Sequence, residues 1–111
     1  MKAADLEALA QRVEREESSV DLDIAVLDAL TGTEYEPPYY QPFTSSLDAA
    51  ASLMPPGWYV SGLEDAYDDS WVSCLLCKKS TGMSAQGTAP TEPRARTAAA
   101  LRAMAMEARD E

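Results

Sequence analysis

Between Pro37 and Val60 the chain runs PPYYQPFTSSLDAAASLMPPGWYV, and this run decides what can lie on either side of it. Five of the seven prolines are here: Pro37, Pro38, Pro42, Pro55 and Pro56. The first three restrict φ and bias the residues before them away from the α region, which predicts an extended connection. Thr44, Ser45 and Ser46 then offer hydroxyls for a helix start, and Ser45 with Asp48 has the spacing of a capping box, with Asp in place of Glu or Gln. Leu47, Ala50, Ala51 and Met54 follow at helical spacing, and Pro55, Pro56 and Gly57 end the helix. Trp58 opens a strand. The apolar period changes from helical to alternating at Gly57, so helices are expected before it and a sheet after it.

Upstream, Leu6, Leu9 and Val13 form the apolar side of a helix over 4–17, with Glu7, Glu14, Glu16 and Glu17 elsewhere on it. Ser18 or Ser19 caps a second helix whose stripe is Val20, Ile24, Leu27 and Leu30. Asp21 and Asp23 lie in its first turn, where the helix dipole favours them, and Gly32 stops it. Downstream, 58–63 and 71–79 read as strands of a hairpin around the polar loop 64–70. In the second strand Trp71, Ser73, Leu75 and Cys77 share one face, and Val72, Cys74, Leu76 and Lys78 the other. Both faces are partly apolar, which predicts helices on both sides. The segment 82–88 is a weaker third strand. Thr91, Glu92 and Pro93 start a long helix to Arg109, in which Ala98, Leu101, Ala105 and Ala108 make a narrow stripe for close approach to a sheet. The expected fold is α+β. A small antiparallel sheet of two to three strands is packed by N-terminal helices and a long C-terminal helix. One domain spans 1–111, divided into a helical part (1–32), a Pro/Tyr-rich connection (33–43) and a helix–hairpin–helix part (44–111).

The run Thr44-Ser45-Ser46-Leu47-Asp48-Ala49-Ala50, with Leu53, Pro55, Pro56, Gly57 and Trp58 after it, resembles a pattern in small phage and prophage proteins. Val20 to Leu30 resembles the leading helix of that group, and Thr97 to Ala103 its Ala-rich closing helix. These proteins are described as an alpha-beta-alpha sandwich domain family of unknown function. The resemblance implies that fold and a phage or prophage origin. Its motifs are capping and packing signals, and it supplies no catalytic residues.

The chemistry available to the chain is limited. With no His, the commonest general base is missing. Neither G-x-x-x-x-G-K-[ST] nor G-x-G-x-x-G is present to cradle a phosphate. Cys74 and Cys77 have C-x-x-C spacing, but in a strand an odd spacing sends the two sulfurs to opposite faces, and no third or fourth N/S ligand exists. Glu64, Asp65, Asp68 and Asp69 crowd one loop without the spacing of an EF-hand. The expectation is no catalytic residue, no metal and no cofactor. No apolar run approaches the about 18 residues of a membrane span. Asp5 also falls where a signal peptide would be apolar, so a cytoplasmic protein of the host cell is expected, with no membrane partner.

The net charge is −10, and it is unevenly placed: residues 1–70 carry −12 and residues 71–111 carry +2. Direct nucleic-acid binding is disfavoured, because that affinity comes from Lys and Arg releasing counterions. A host protein with a basic surface is the expected partner, and a homodimer is left open. Tyr39, Tyr40 and Phe43 are the candidate anchors, in a connection where aromatic rings serve either as a core lid or as an interface. Glu34, Glu36, Asp65, Asp68 and Asp69 are the candidate acidic rim. The expected function is a non-enzymatic, acidic phage or prophage accessory protein. Inhibition of host defence by nucleic-acid mimicry, as anti-CRISPR proteins do, is one form of it. The alternative is a small-ligand or nucleotide binder with a pocket between sheet and helices.

Overall fold

A computed structural model describes residues 3–109. Seven elements follow in order: α1 (Ala3–Arg15), α2 (Val20–Leu30), α3 (Leu47–Ala51), β1 (Trp58–Asp65), β2 (Val72–Lys78), β3 (Ser84–Ala89) and α4 (Glu92–Arg109). The strands form an antiparallel sheet of order β1-β2-β3. The α+β architecture expected from the sequence is the one observed, and the third strand is real.

The layering differs from the expectation. α4 packs against β2 and β3, α3 lies beside α4, and α1 packs on α4 with α2 beyond it. Every helix is therefore on one side of the sheet. The opposite face carries Tyr59, Gly62 and Glu64 on β1, Ser73, Leu75 and Cys77 on β2, and Ser84, Gln86 and Thr88 on β3, half-buried to exposed. The apolar character of Leu75 and Cys77 had suggested a second helical layer; no described helix supplies one.

α4 is the hub. Ala95, Thr97, Ala98, Ala99, Ala100, Leu101, Ala103, Met104 and Ala105 are buried around most of its circumference. Small side chains allow this, because a helix enclosed on several sides must let backbones approach. The closest approach is to Gly87 of β3, where a Cβ would stand 2.2 Å from Ala95 O and 2.6 Å from Ala99 N. The sheet-facing stripe is thus Ala95, Ala98 and Ala99. Of the stripe read from the sequence, Ala98 lies on it, while Ala108 borders a cavity with Leu6 and Leu30 of α1 and α2.

Buried polar groups tie the layers together. Arg94, nearly inaccessible, donates from Nε to Val13 O (2.9 Å) and from Nη2 to Glu14 O (2.9 Å), capping the C-terminal carbonyls of α1. Arg102 donates to Glu7 Oε1 (2.8 Å), to both Glu14 oxygens (2.7 Å each) and to Gln86 O (2.8 Å). Glu14 Oε2 also accepts from Thr88 N (2.8 Å), so the outer edge of β3 is closed by side chains of α1 and α4. Asp23, buried in α2, accepts from Thr44 N (2.8 Å), Thr44 Oγ1 (2.6 Å) and Tyr40 OH (3.1 Å).

Asp23 explains one misplaced face. The buried side of α2 is Leu22, Asp23, Val26, Ala29 and Leu30, and Val20 and Ile24 are exposed. A carboxylate that anchors a loop looks polar in a periodicity count. Local details also shift. Ser19 is the N-cap of α2, accepting from Leu22 N, while Ser18 Oγ donates to Thr44 O. Ser46, one residue later than expected, caps α3 by accepting from Ala49 N. The buried side of α3 is Ala49 and Ala50, leaving Leu47 and Met54 exposed.

Glu107 receives Trp58 Nε1 (2.8 Å) and Lys78 Nζ (2.9 Å), fastening the start of β1 to the end of α4. The Lys78 bond and then the Trp58 bond hold its carboxyl below the usual range. Burial alone would push Glu14 up, but bonds from Arg102 and Thr88 N outweigh it and bring it down as well. A carboxyl depressed on folding stabilises above its unfolded pKa of about 4.3, and that stability is lost as pH falls through the lower folded value. Thermal melting from pH 7 downward is expected to show a loss of stability below about pH 4, and Glu107→Gln should flatten that acid limb.

Candidate functional site

The turn end of the β1–β2 hairpin gathers charge of one sign. Along the hairpin Trp58 pairs with Lys78, Tyr59 with Cys77, Leu63 with Cys74, Glu64 with Ser73 and Asp65 with Val72, with a bulge between Val60 and Gly62. Glu64 and Asp65 end β1, and Asp68 and Asp69 lie in the turn. No Lys or Arg occurs from Trp58 to Cys77. The turn is closed by Ala66 N to Trp71 O (2.9 Å) and Asp69 N to Ala66 O (3.0 Å), with Asp69 in the left-handed region at φ 59°. Asp tolerates that conformation better than most residues. Asp68 Oδ1 accepts from Ser70 N (3.2 Å), and this bonding holds the Asp68 carboxyl below its ordinary range.

Two aromatic rings stand among these carboxylates. Tyr67, at the tip, is fully exposed. Trp71 borders a shallow groove of about 350 Å³ on the open sheet face, together with Glu64, Ser73, Gln86 and Thr88. The groove continues past Gly62 and Leu75. Its floor is a polar row, in which Ser73 Oγ accepts from Gln86 Nε2 (2.6 Å) and Thr88 Oγ1 (3.2 Å).

Several cations are held by partners. Arg12 pairs with Glu16, Arg96 with Glu92, Lys78 with Glu107, and Arg102 with Glu7 and Glu14. Arg94 is spent on backbone carbonyls. At the turn end of the hairpin, carboxylates face solvent beside aromatic surface, with no Lys or Arg from Trp58 to Cys77 to offset them.

The residues singled out from the sequence do not form one surface. Phe43 is not an anchor: it is completely buried, and its carbonyl accepts from Thr97 Oγ1 of α4 (2.8 Å). Its ring has no polar group, and the core is where such a ring gains most. Tyr39 is exposed, at 67%. Tyr40 is partly exposed with its hydroxyl on Asp23; desolvation and the Asp23 carboxylate push that hydroxyl's pKa up. Glu34 and Glu36 border a depression with Ser52, Met54 and Pro56, just ahead of β1. Asp65, Asp68 and Asp69 lie past its far end, about 23 Å along the strand at about 3.3 Å per residue. Glu64, Tyr67 and Trp71 were passed over as site residues. The cation-free interval around them was the available signal.

A second concavity, about 240 Å³, lies between helices, lined by Leu6, Leu30, Thr33, Glu34, Tyr35 and Met104. It touches no strand. Cys74 is buried facing α4 and Cys77 is half-buried on the open face, so the two free thiols point to opposite sides of β2. Burial pushes the Cys74 thiol up. Among the described residues no group of three or more His, Cys, Asp or Glu is arranged to hold a metal ion, and no buried side-chain nitrogen or oxygen lacks a partner. No described helix is long and apolar enough to cross a membrane. No family model, curated protein or solved structure matches this chain.

Proposed function

We propose that this protein is a non-enzymatic binding domain that docks a basic protein surface through the hairpin end of its sheet. The observation that supports this reading best is the placement of Glu64, Asp65, Asp68 and Asp69 around Tyr67 and Trp71, in a stretch with no Lys or Arg from Trp58 to Cys77. Aromatic anchors inside a charged rim are a common arrangement of affinity at interfaces, where the rim governs mainly the encounter rate. The absence of His and the satisfied buried polar groups leave few candidates for a reacting residue. A phage or prophage setting belongs to the same proposal: the partner is then a host protein, and carboxylates at the hairpin stand in for phosphates.

The test is isolation of the partner from host cells, followed by binding measurements on variants. Trp71→Ala and Tyr67→Ala are expected to weaken binding about tenfold or more each. Asp65→Asn, Asp68→Asn and Asp69→Asn together should lower the on-rate and the salt dependence. If the partner is a nucleic-acid-binding protein, duplex DNA should compete. A partner indifferent to salt and to both aromatic substitutions places the interface elsewhere. The cavity beside Leu30 and Tyr35 favours a second reading, a small-ligand binder. A small molecule retained in native mass spectra, and lost when Met104 is changed to Trp, would support it.

A further inference from the structure

The two edges of the sheet are finished differently. At β3 the outward Thr88 N–H is bonded by Glu14 and the outward Gln86 carbonyl by Arg102. β1 has no such cover. In the antiparallel ladder, Ala66 N bonds to Trp71 O and Lys79 N to Gly57 O, which fixes the alternation. The backbone groups of Val60, Leu63 and Asp65 therefore point away from β2. Past Val60 no described helix packs extensively on β1, and Leu63 is 44% exposed. A narrow cleft of about 10 Å³, lined by Ala51, Met54, Val60, Leu76, Arg96 and Ala100, adjoins the strand. An 8-residue edge strand with outward donors and acceptors is a template for another chain, blunted here by its bulge and by the charge of Asp65 at its end.

We infer that the β1 edge receives an extended segment of the basic partner as an antiparallel fourth strand. This deepens the proposed function and rests on it. The occupant is specified by what flanks the edge. Residues paired with Val60 and Leu63 send their side chains to the same face as those two, where Leu63 leaves apolar surface exposed, and should be apolar. The residues between them lie over the open face near Glu64 and the Asp68–Asp69 turn, and should be Lys or Arg. A second copy of this chain is a poorer fit, because each copy carries −10.

The probe is a capped peptide of alternating valine and lysine, matched to the 8 residues of β1, titrated into the isotopically labelled protein. The Leu63 and Asp65 amides should become protected from hydrogen exchange, while Tyr59 and Glu64, already bonded to β2, should not change. N-methylation of the valines removes the donors that face β1 and should weaken binding about tenfold or more; N-methylation of the lysines should leave it nearly intact. Equal binding by both methylated peptides, still weakened by salt, overturns strand addition and leaves the acidic docking surface standing. No binding by any peptide overturns both. A free protein that is already dimeric, with the Leu63 and Asp65 amides protected, makes a second copy the occupant and also overturns the inference.

Discussion

Gly87→Ala is expected to destabilise the protein by about 3 kcal/mol or more, lowering the melting temperature by about 10 °C or more. The added methyl would lie 2.2 Å from Ala95 O and 2.6 Å from Ala99 N, both backbone atoms of the helix that every layer rests on. A flexible side chain could swing aside, but a helix backbone cannot without separating α4 from β3. Gly62→Ala is the matched control. Its Cβ would meet only Leu75 Cβ at 3.9 Å on the open face, so a change within about 1 kcal/mol is expected. Urea denaturation of the two variants decides the point. A Gly87→Ala protein as stable as the parent would show that α4 and β3 are not in backbone contact.

Arg102→Ala should cost about 3 kcal/mol, and most of that cost should come from what is left behind. Its side chain and that of Glu14 are each 19% accessible, and removal strands the Glu7 and Glu14 carboxylates side by side with the Gln86 carbonyl uncapped. The bonds to Glu14 first, and then to Glu7, raise the Arg102 pKa, so the guanidinium stays charged throughout the accessible pH range. In a background that already carries Glu7→Gln and Glu14→Gln, Arg102→Ala should cost roughly half as much. Equal costs in the two backgrounds would mean that Arg102 contributes packing and not charge.

Much of this fold could be deduced from local chemistry. Pro55, Pro56 and Gly57 mark the change from helix to strand, Thr91 to Pro93 mark the start of α4, and the odd spacing of Cys74 and Cys77 puts them on opposite faces, all as observed. Long-range relations were less accessible. Phe43 and Tyr40 are neighbours in one connection, yet one is in the core and the other reaches Asp23 across 17 residues of chain. Asp23 itself was assigned to the dipole of its own helix, because nothing local reveals that Thr44 will bond to it. The open sheet face was missed because Leu75 looks like core until the number of helices on that side is known. The acidic rim was divided for the same reason. Strand length separates Glu36 from Asp65.

The enclosure of α4 also bears on how the chain acquires its structure during synthesis. Of the seven elements, the one that α1, α3, β2 and β3 all pack against is made last. Until its alanines leave the ribosome, the apolar faces of the earlier helices and of the hairpin have no common surface to bury. The molecule should therefore gain structure in a single late step, after translation of Met104 and Ala105. A nascent chain arrested before α4 is expected to be protease-sensitive along its whole length.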